Sequence, residues 1–233
     1  MNLFKEYVRG YDFNNAKIAR KYSHTLRVKI LCELIAKNIG LNEQQVALAG
    51  KCGLYHDIAR FEQAKRFNSF DDLFTVDHGD LGYEIFMKEF AEKLKLSQKE
   101  TQIIAKSILY HNKLKVSDVN EEELLFTNIV RDADKIDILY QFAFVPGMIK
   151  DGEGEIKPKI HDEFIAHKPI SRTDITSKRE SNILSLAFIW DINFASSYKI
   201  IKENHYFDYI QKILNNSIYD EYFDVIRNYL KEK

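Results

Sequence analysis

Proline and glycine are scarce along most of this chain, and where they do occur decides what it can fold into. All three prolines (Pro146, Pro158, Pro169) and three of the nine glycines (Gly147, Gly152, Gly154) fall between positions 146 and 169. Elsewhere long stretches run with almost no breaker, which favours helices over a sheet turning at short intervals. The expected fold is an all-α helical bundle with a short irregular or hairpin-like insertion near 146–175.

Apolar periodicity agrees. Ile18, Tyr22, Val28, Leu31, Cys32 and Ile35 recur at helical spacing over 18–38, and Gly40 follows as a stop. Asn42 with Gln45 three residues on predicts the start of a second helix, carrying Val46, Ala49, Leu54 and Ile58. A third helix is expected over about 77–94. Ser97 with Glu100 opens a fourth, through Ile103, Ile104 and Ile108. A fifth begins near 121 and continues through Leu125, Ile129, Ile136 and Leu139, and two or three aromatic-rich helices are expected over 177–230. A core over 1–145 is expected, with 146–233 supplying the irregular segment and C-terminal helices packed on the same domain.

Hydrophobic residues make up 45% and charged residues 30%, with 34 basic against 35 acidic side chains. That balance gives no broad basic field, so duplex nucleic acid is not an expected partner. No segment approaches the roughly 20 apolar residues needed to span a bilayer, and no signal-peptide run opens the chain, so no membrane partner is expected. Cys32 and Cys52 form no CxxC pair and no disulfide framework. A reducing, cytoplasmic setting and small core roles for both thiols are the expectation.

Four histidines stand at marked positions. His24 lies on the inner stripe with Val28 and Leu31, His56 adjoins Asp57, His78 precedes Leu81 and Ile85, and His111 follows Ile104 and Ile108. A lone histidine on an apolar face is more often a core residue than a ligand. Four of them, one beside an aspartate, would cost several kcal/mol to bury unless one partner satisfied them together, and a metal ion does this. In RDADKID, Asp134 has Val130 and Ile138 one turn to either side, so it points inward and needs a cation or several donors. Asp132, one turn from Asn128, and Asp137 read as helix-surface groups or as acceptors that orient imidazole N–H donors.

The series His24, LYHDIARFEQ and RDADKID resembles the HD superfamily of metal-dependent phosphohydrolases, whose signature is H…HD…D. DHGDLGYEIF and IIAKSILYHNK resemble the two further histidine helices of its binuclear H…HD…H…H…D members. The resemblance covers roughly residues 20–145. It implies that His24, His56, Asp57 and Asp134 hold one metal, and that His78 and His111 hold a second, with Asp57 bridging the two. Imidazole and carboxylate ligands suit iron or manganese first, with nickel, cobalt or zinc also admissible, rather than magnesium. Two cations would lower the pKa of a shared water and hold phosphoryl oxygens, making Asp57 a catalytic group. Arg60, four residues beyond His56, occupies a position where HD proteins often place a basic residue against phosphate. It is the second catalytic candidate, and with Lys135 a substrate-binding one.

One departure limits the substrate. Members that open cyclic di-GMP carry a second histidine beside the later one and a GYP tripeptide soon after, whereas here Tyr110 precedes His111 and HNKLKV follows. The expected activity is hydrolysis of a phosphoester in a small phosphorylated substrate, a nucleotide by preference. The alternatives are an HD-fold di-iron oxygenase and a non-catalytic helical domain with a structural metal. Gly50 and Gly53 inside a helix point to a close helix contact rather than phosphate binding. His161 and His167 are expected in loops, where a loop could cover the site. The aromatic runs at 188–190 and 206–207 read as core or as the surface of a homodimer.

Overall fold

Two of the expected helix starts are closed by the side chains that predict them. A computed structural model describes residues 2–233, and among these there is no strand. The chain divides into two compact units, the first running to Asp134 and the second from Lys135 to Lys233.

In the first unit, helix α1 spans Asn2–Val8 and helix α2 spans Ala16–Asn38, the latter opened by the Asn15 carboxamide accepting from Lys17 N–H at 3.0 Å. Gly40, at φ +83°, supplies the left-handed residue that ends α2. Helix α3 (Glu43–Tyr55) begins in the reciprocal cap between Asn42 and Gln45. It stops at Tyr55, so Ile58 belongs to a separate helix α4 (Ile58–Phe67) and not to the helix that Asn42 starts. Helix α5 covers His78–Glu89 under an Asp77 cap, and helix α6 covers Gln98–Tyr110 under the Ser97–Glu100 cap. Helix α5 ends short of the expected 94 because Phe90 leaves the helical path and turns its ring onto Tyr7 and Tyr55, at centroid distances of 5.3 and 4.9 Å. Helix α7 (Glu121–Phe144) starts in a further reciprocal cap between Asn120 and Glu123, and the division between the units falls within it.

The first unit's core is continuous from Phe4 through Val28, Ile35, Tyr55, Phe61, Phe86, Phe126 and Ile129, all buried. Burial of each such side chain is worth roughly 1.5–3 kcal/mol. α2 and α3 lie close enough that a Cβ on Gly53 would stand 2.7 Å from Cys32 Sγ and 3.0 Å from the Lys29 backbone. Gly53→Ala is therefore expected to destabilise the protein by about 1–3 kcal/mol despite alanine's better helix propensity. A urea titration with an unchanged or raised midpoint would refute the close-contact reading.

In the second unit the segment after Pro146 is irregular but holds a helix rather than a hairpin. Pro158 takes the first position of helix α8 (Pro158–Ile165), where its missing N–H costs nothing. His161 is thus helical rather than a loop residue, with Nδ1 3.1 Å from the Tyr222 hydroxyl. The carboxylate of Glu180, fully buried, ties the irregular chain down by accepting from the backbone N–H of Lys157, Thr176 and Ser177. Beyond it come four helices, one more than the sequence pattern indicates: α9 (Lys178–Leu186), α10 (Ala195–Glu203), α11 (Tyr206–Leu214) and α12 (Asp220–Glu232). Tyr206 and Phe207 are buried, and Trp190 is enclosed by His167, Phe164 and Tyr229 at 4.3–5.1 Å between centroids. This is core-type aromatic packing.

Candidate metal centre

All six expected metal ligands meet in the first unit. His24 comes from the first half of α2, and His56 and Asp57 form the two-residue break between α3 and α4. His78 is the first residue of α5, His111 directly follows α6, and Asp134 lies on α7. Asp57 occupies the N-cap position of α4 yet makes no side-chain capping bond. It forgoes a stabilisation of about 1 kcal/mol because its carboxylate is turned into the cluster instead.

The two oxygens of Asp57 face two different histidine pairs. Oδ2 lies 3.3 Å from His24 Nε2 and 3.4 Å from His56 Nε2, whereas Oδ1 lies 3.5 Å from His78 Nε2 and 3.6 Å from His111 Nε2. Asp134 Oδ1 completes the first group, 3.1 Å from His24 Nε2 and 3.7 Å from His56 Nε2. The histidines and Asp57 are buried, while the Asp134 side chain is 17% exposed and marks where water reaches the group.

The outer ring nitrogens are already committed. His56 Nδ1 lies 2.8 Å from Gly53 O, His111 Nδ1 2.8 Å from Ile108 O, and His78 Nδ1 2.5 Å from Asp72 Oδ2. Each of these acceptors calls for a proton on Nδ1, which in a neutral ring leaves Nε2 with a lone pair directed inward. The Nε2 atoms of His78 and His111 are then only 3.0 Å apart. Whichever tautomer either ring takes, one lone pair faces another acceptor. Burial pushes the pKa of His78 down to about 4, with the Arg60 charge adding to it, and burial also lowers that of His111. No imidazolium proton is therefore available between them at neutral pH. A divalent cation resolves the conflict, and the donor set of neutral imidazoles and carboxylates fits one.

The other pair behaves differently. Burial opposes charge on His56, but the Asp57 and Asp134 carboxylates outweigh it and raise its pKa to about 10. Burial likewise opposes the charges of Asp57 and Asp134. Lys21 and His56 nevertheless hold Asp57 well below the usual carboxylate range, and His24 and His56 do so for Asp134.

Two neighbours of the cluster escape a reading of sequence periodicity. Lys21, one turn before His24, places Nζ 2.5 Å from Asp57 Oδ2. Asp72 sits in the loop between α4 and α5, where no helical spacing points to it. Its Oδ1 accepts from Arg60 at 2.7 Å and from the Gln63 amide at 2.9 Å, while its Oδ2 holds His78. Arg60 itself lies with Nε 3.5 Å from Asp57 Oδ1, and one of its terminal nitrogens also donates to Gln63 and to the Phe70 carbonyl. The Phe70 ring lies 5.5–6.0 Å from the cationic groups of Arg20, Lys21 and Arg60.

Lys135 belongs to the second unit, where its Nζ pairs with Asp191 at 2.7 Å. Asp132 and Asp137 are buried, so neither is the helix-surface group its sequence context allows. The Nδ1 acceptors of His56, His78 and His111 are two backbone carbonyls and Asp72. Asp137 accepts from Gln141 at 2.9 Å.

A helical unit holding buried histidines and aspartates that could bind divalent metal defines a class of metal-binding proteins. The HD domain family matches residues 22–139, from just before His24 to just past Asp134, and the chain belongs to that family. The family binds divalent metals and consists largely of metal-dependent phosphohydrolases. No curated protein and no solved structure matches the chain. Among the described residues, no helix is long and apolar enough to cross a membrane.

Proposed function

We propose that this protein is a metal-dependent phosphohydrolase with a two-ion centre, cleaving a phosphoester in a small substrate of nucleotide type. The observation that carries this reading is the division of Asp57: one oxygen toward His24 and His56, the other toward His78 and His111. With Asp134 on the first side, each oxygen heads a group able to hold one divalent ion. Iron or manganese suits the donor set best, ahead of nickel, cobalt and zinc. The ions supply an activated water and polarise the phosphoryl group.

The chain's own part is positioning and charge. Asp57 would hold both ions. His78 and His111 present neutral nitrogens because burial disfavours their extra protons, whereas His56, charged between Asp57 and Asp134, would give up its proton to a cation. Lys21 neutralises Asp57 at 2.5 Å, and with Asp57 holding cations its ammonium would be free to face a phosphoryl oxygen. Arg60, held between Asp57 and Asp72, adds positive potential beside the centre, where charge develops in the transition state. The near-neutral overall charge supplies no long-range field, so the partner is a small anion rather than duplex nucleic acid.

The test is a panel of nucleotides, cyclic nucleotides and aryl phosphates offered to protein loaded with manganese or iron(II), with phosphate release as the readout. His56→Ala should be inactive on any substrate the wild type cleaves. A fully loaded wild-type protein that releases no phosphate from any of them, or one that consumes oxygen instead, would refute the proposal.

A further inference from the structure

His78 is the one imidazole of the three with a resolved Nδ1 partner whose acceptor is charged. His56 and His111 give theirs to backbone carbonyls, whereas His78 meets the Asp72 carboxylate at 2.5 Å. The amide nitrogen of Asn112 also approaches His78 Nδ1, at 3.3 Å. The charged acceptor is both nearer and stronger, so the proton sits on Nδ1 and points to Asp72.

Asp72 is not a loop residue that happens to reach inward. The buried Gln63 amide donates to Asp72 Oδ1, to Thr75 Oγ1 at 2.8 Å and to the Val76 carbonyl at 3.1 Å. Arg60 bonds both Asp72 and the Phe70 carbonyl. Side chains of α4 thus pin both ends of the 70–76 loop and leave Asp72 Oδ2 aimed at a single atom. A carboxylate behind a ligating histidine fixes its tautomer and ring angle and raises the basicity of the inward nitrogen.

We propose that Asp72 is a positioning residue that sets His78 for the second cation and ties that ligand to Arg60. The inference rests on the two-ion reading above but not on which bond the protein hydrolyses. It makes the His78–His111 side of the centre dependent on the 70–76 loop, and the His24–Asp134 side independent of it.

The test is manganese binding by calorimetry, with metal content counted after desalting, on wild type, Asp72→Asn and Arg60→Met. Asp72→Asn keeps the shape but loses the charge, and should weaken one of two binding events by roughly 10–100-fold while leaving the other intact. Arg60→Met removes a loop tie and a repelling charge but keeps the carboxylate, so both events should remain as tight as in wild type or tighter. Nitrogen-15 spectra of the histidine rings in metal-free protein should show His78 protonated at Nδ1 in wild type and not uniquely so in Asp72→Asn. Far-UV circular dichroism confirms that each variant is folded. Equal losses in both variants would mean the loop matters only as scaffold and would overturn the proposal. So would unchanged binding in Asp72→Asn, or a wild type that takes a single ion. A wild type with two ions but no phosphate release would refute the phosphohydrolase reading and leave this one standing.

Discussion

Asp57→Asn should abolish hydrolysis, by roughly 10³-fold or more, and should lower metal content at both halves of the centre together. Loss of the bridging group removes the anchor of two cations whose transition-state stabilisation is worth several kcal/mol. The side chain lies within 3.6 Å of all four histidines, and Lys21 lies 2.5 Å from it. No other residue of the cluster has that reach, since Asp134 approaches only His24 and His56. Asp134→Asn should therefore deplete one ion preferentially, and Asp57→Asn both. The metal-free Asp57→Asn protein should also be less stable by about 3–5 kcal/mol, because the buried His56 charge loses its nearest counter-ion. Metal analysis of the two variants beside their rate constants separates these outcomes. An Asp57→Asn protein that keeps both ions, or loses less than tenfold in rate, would sink the bridging assignment.

Much of this centre is legible in the sequence because helices carry it. His24, His111 and Asp134 lie at or near the buried faces of α2, α6 and α7, and a period of 3.6 residues points to each from its apolar neighbours. The N-caps at Asn42 and Ser97 show in the same way, since a cap is a local hydrogen bond between residues three apart. What periodicity cannot show is a residue whose position depends on tertiary structure. Asp72 sits in a loop, and its role follows from where Arg60 and Gln63 of α4 hold that loop. The break at His56–Asp57 is hidden for a related reason. No glycine or proline marks it, because the helix is interrupted by a carboxylate that turns inward rather than by a residue unable to be helical. Beyond Pro146 the four short helices α9–α12 are joined by one-turn 3₁₀ segments and left-handed residues such as His205 and Asn215. Such junctions lack the breaker residues that announce the ends of α2, so the pattern merges neighbouring helices.

The facing lone pairs of His78 and His111 carry the second large expectation, which concerns stability rather than rate. Two acceptors 3.0 Å apart in a buried site are a fault in the metal-free protein that a cation repairs. Cation binding to the folded state alone, at about 1,000 times Kd, adds about 4 kcal/mol. For a chain of this size that corresponds to a rise in Tm of roughly 8–16 °C, borne by the first unit if the two units melt separately. The rise should shrink as pH falls from 8 to 5, because protons compete for the ligating nitrogens. Uptake at pH 7 should release a proton, since His56, with its pKa pushed up to about 10, is charged before the cation arrives, whereas His78, at about 4, is already neutral. Calorimetry in two buffers of different ionisation enthalpy counts that proton. His78→Gln puts a donor where the conflicting lone pair stood, so it should keep the metal-free Tm near the wild-type value while removing much of the cation-induced rise. If manganese and iron(II) leave the wild-type Tm unmoved between pH 5 and 8, internal protons satisfy the cluster and it is not a metal centre.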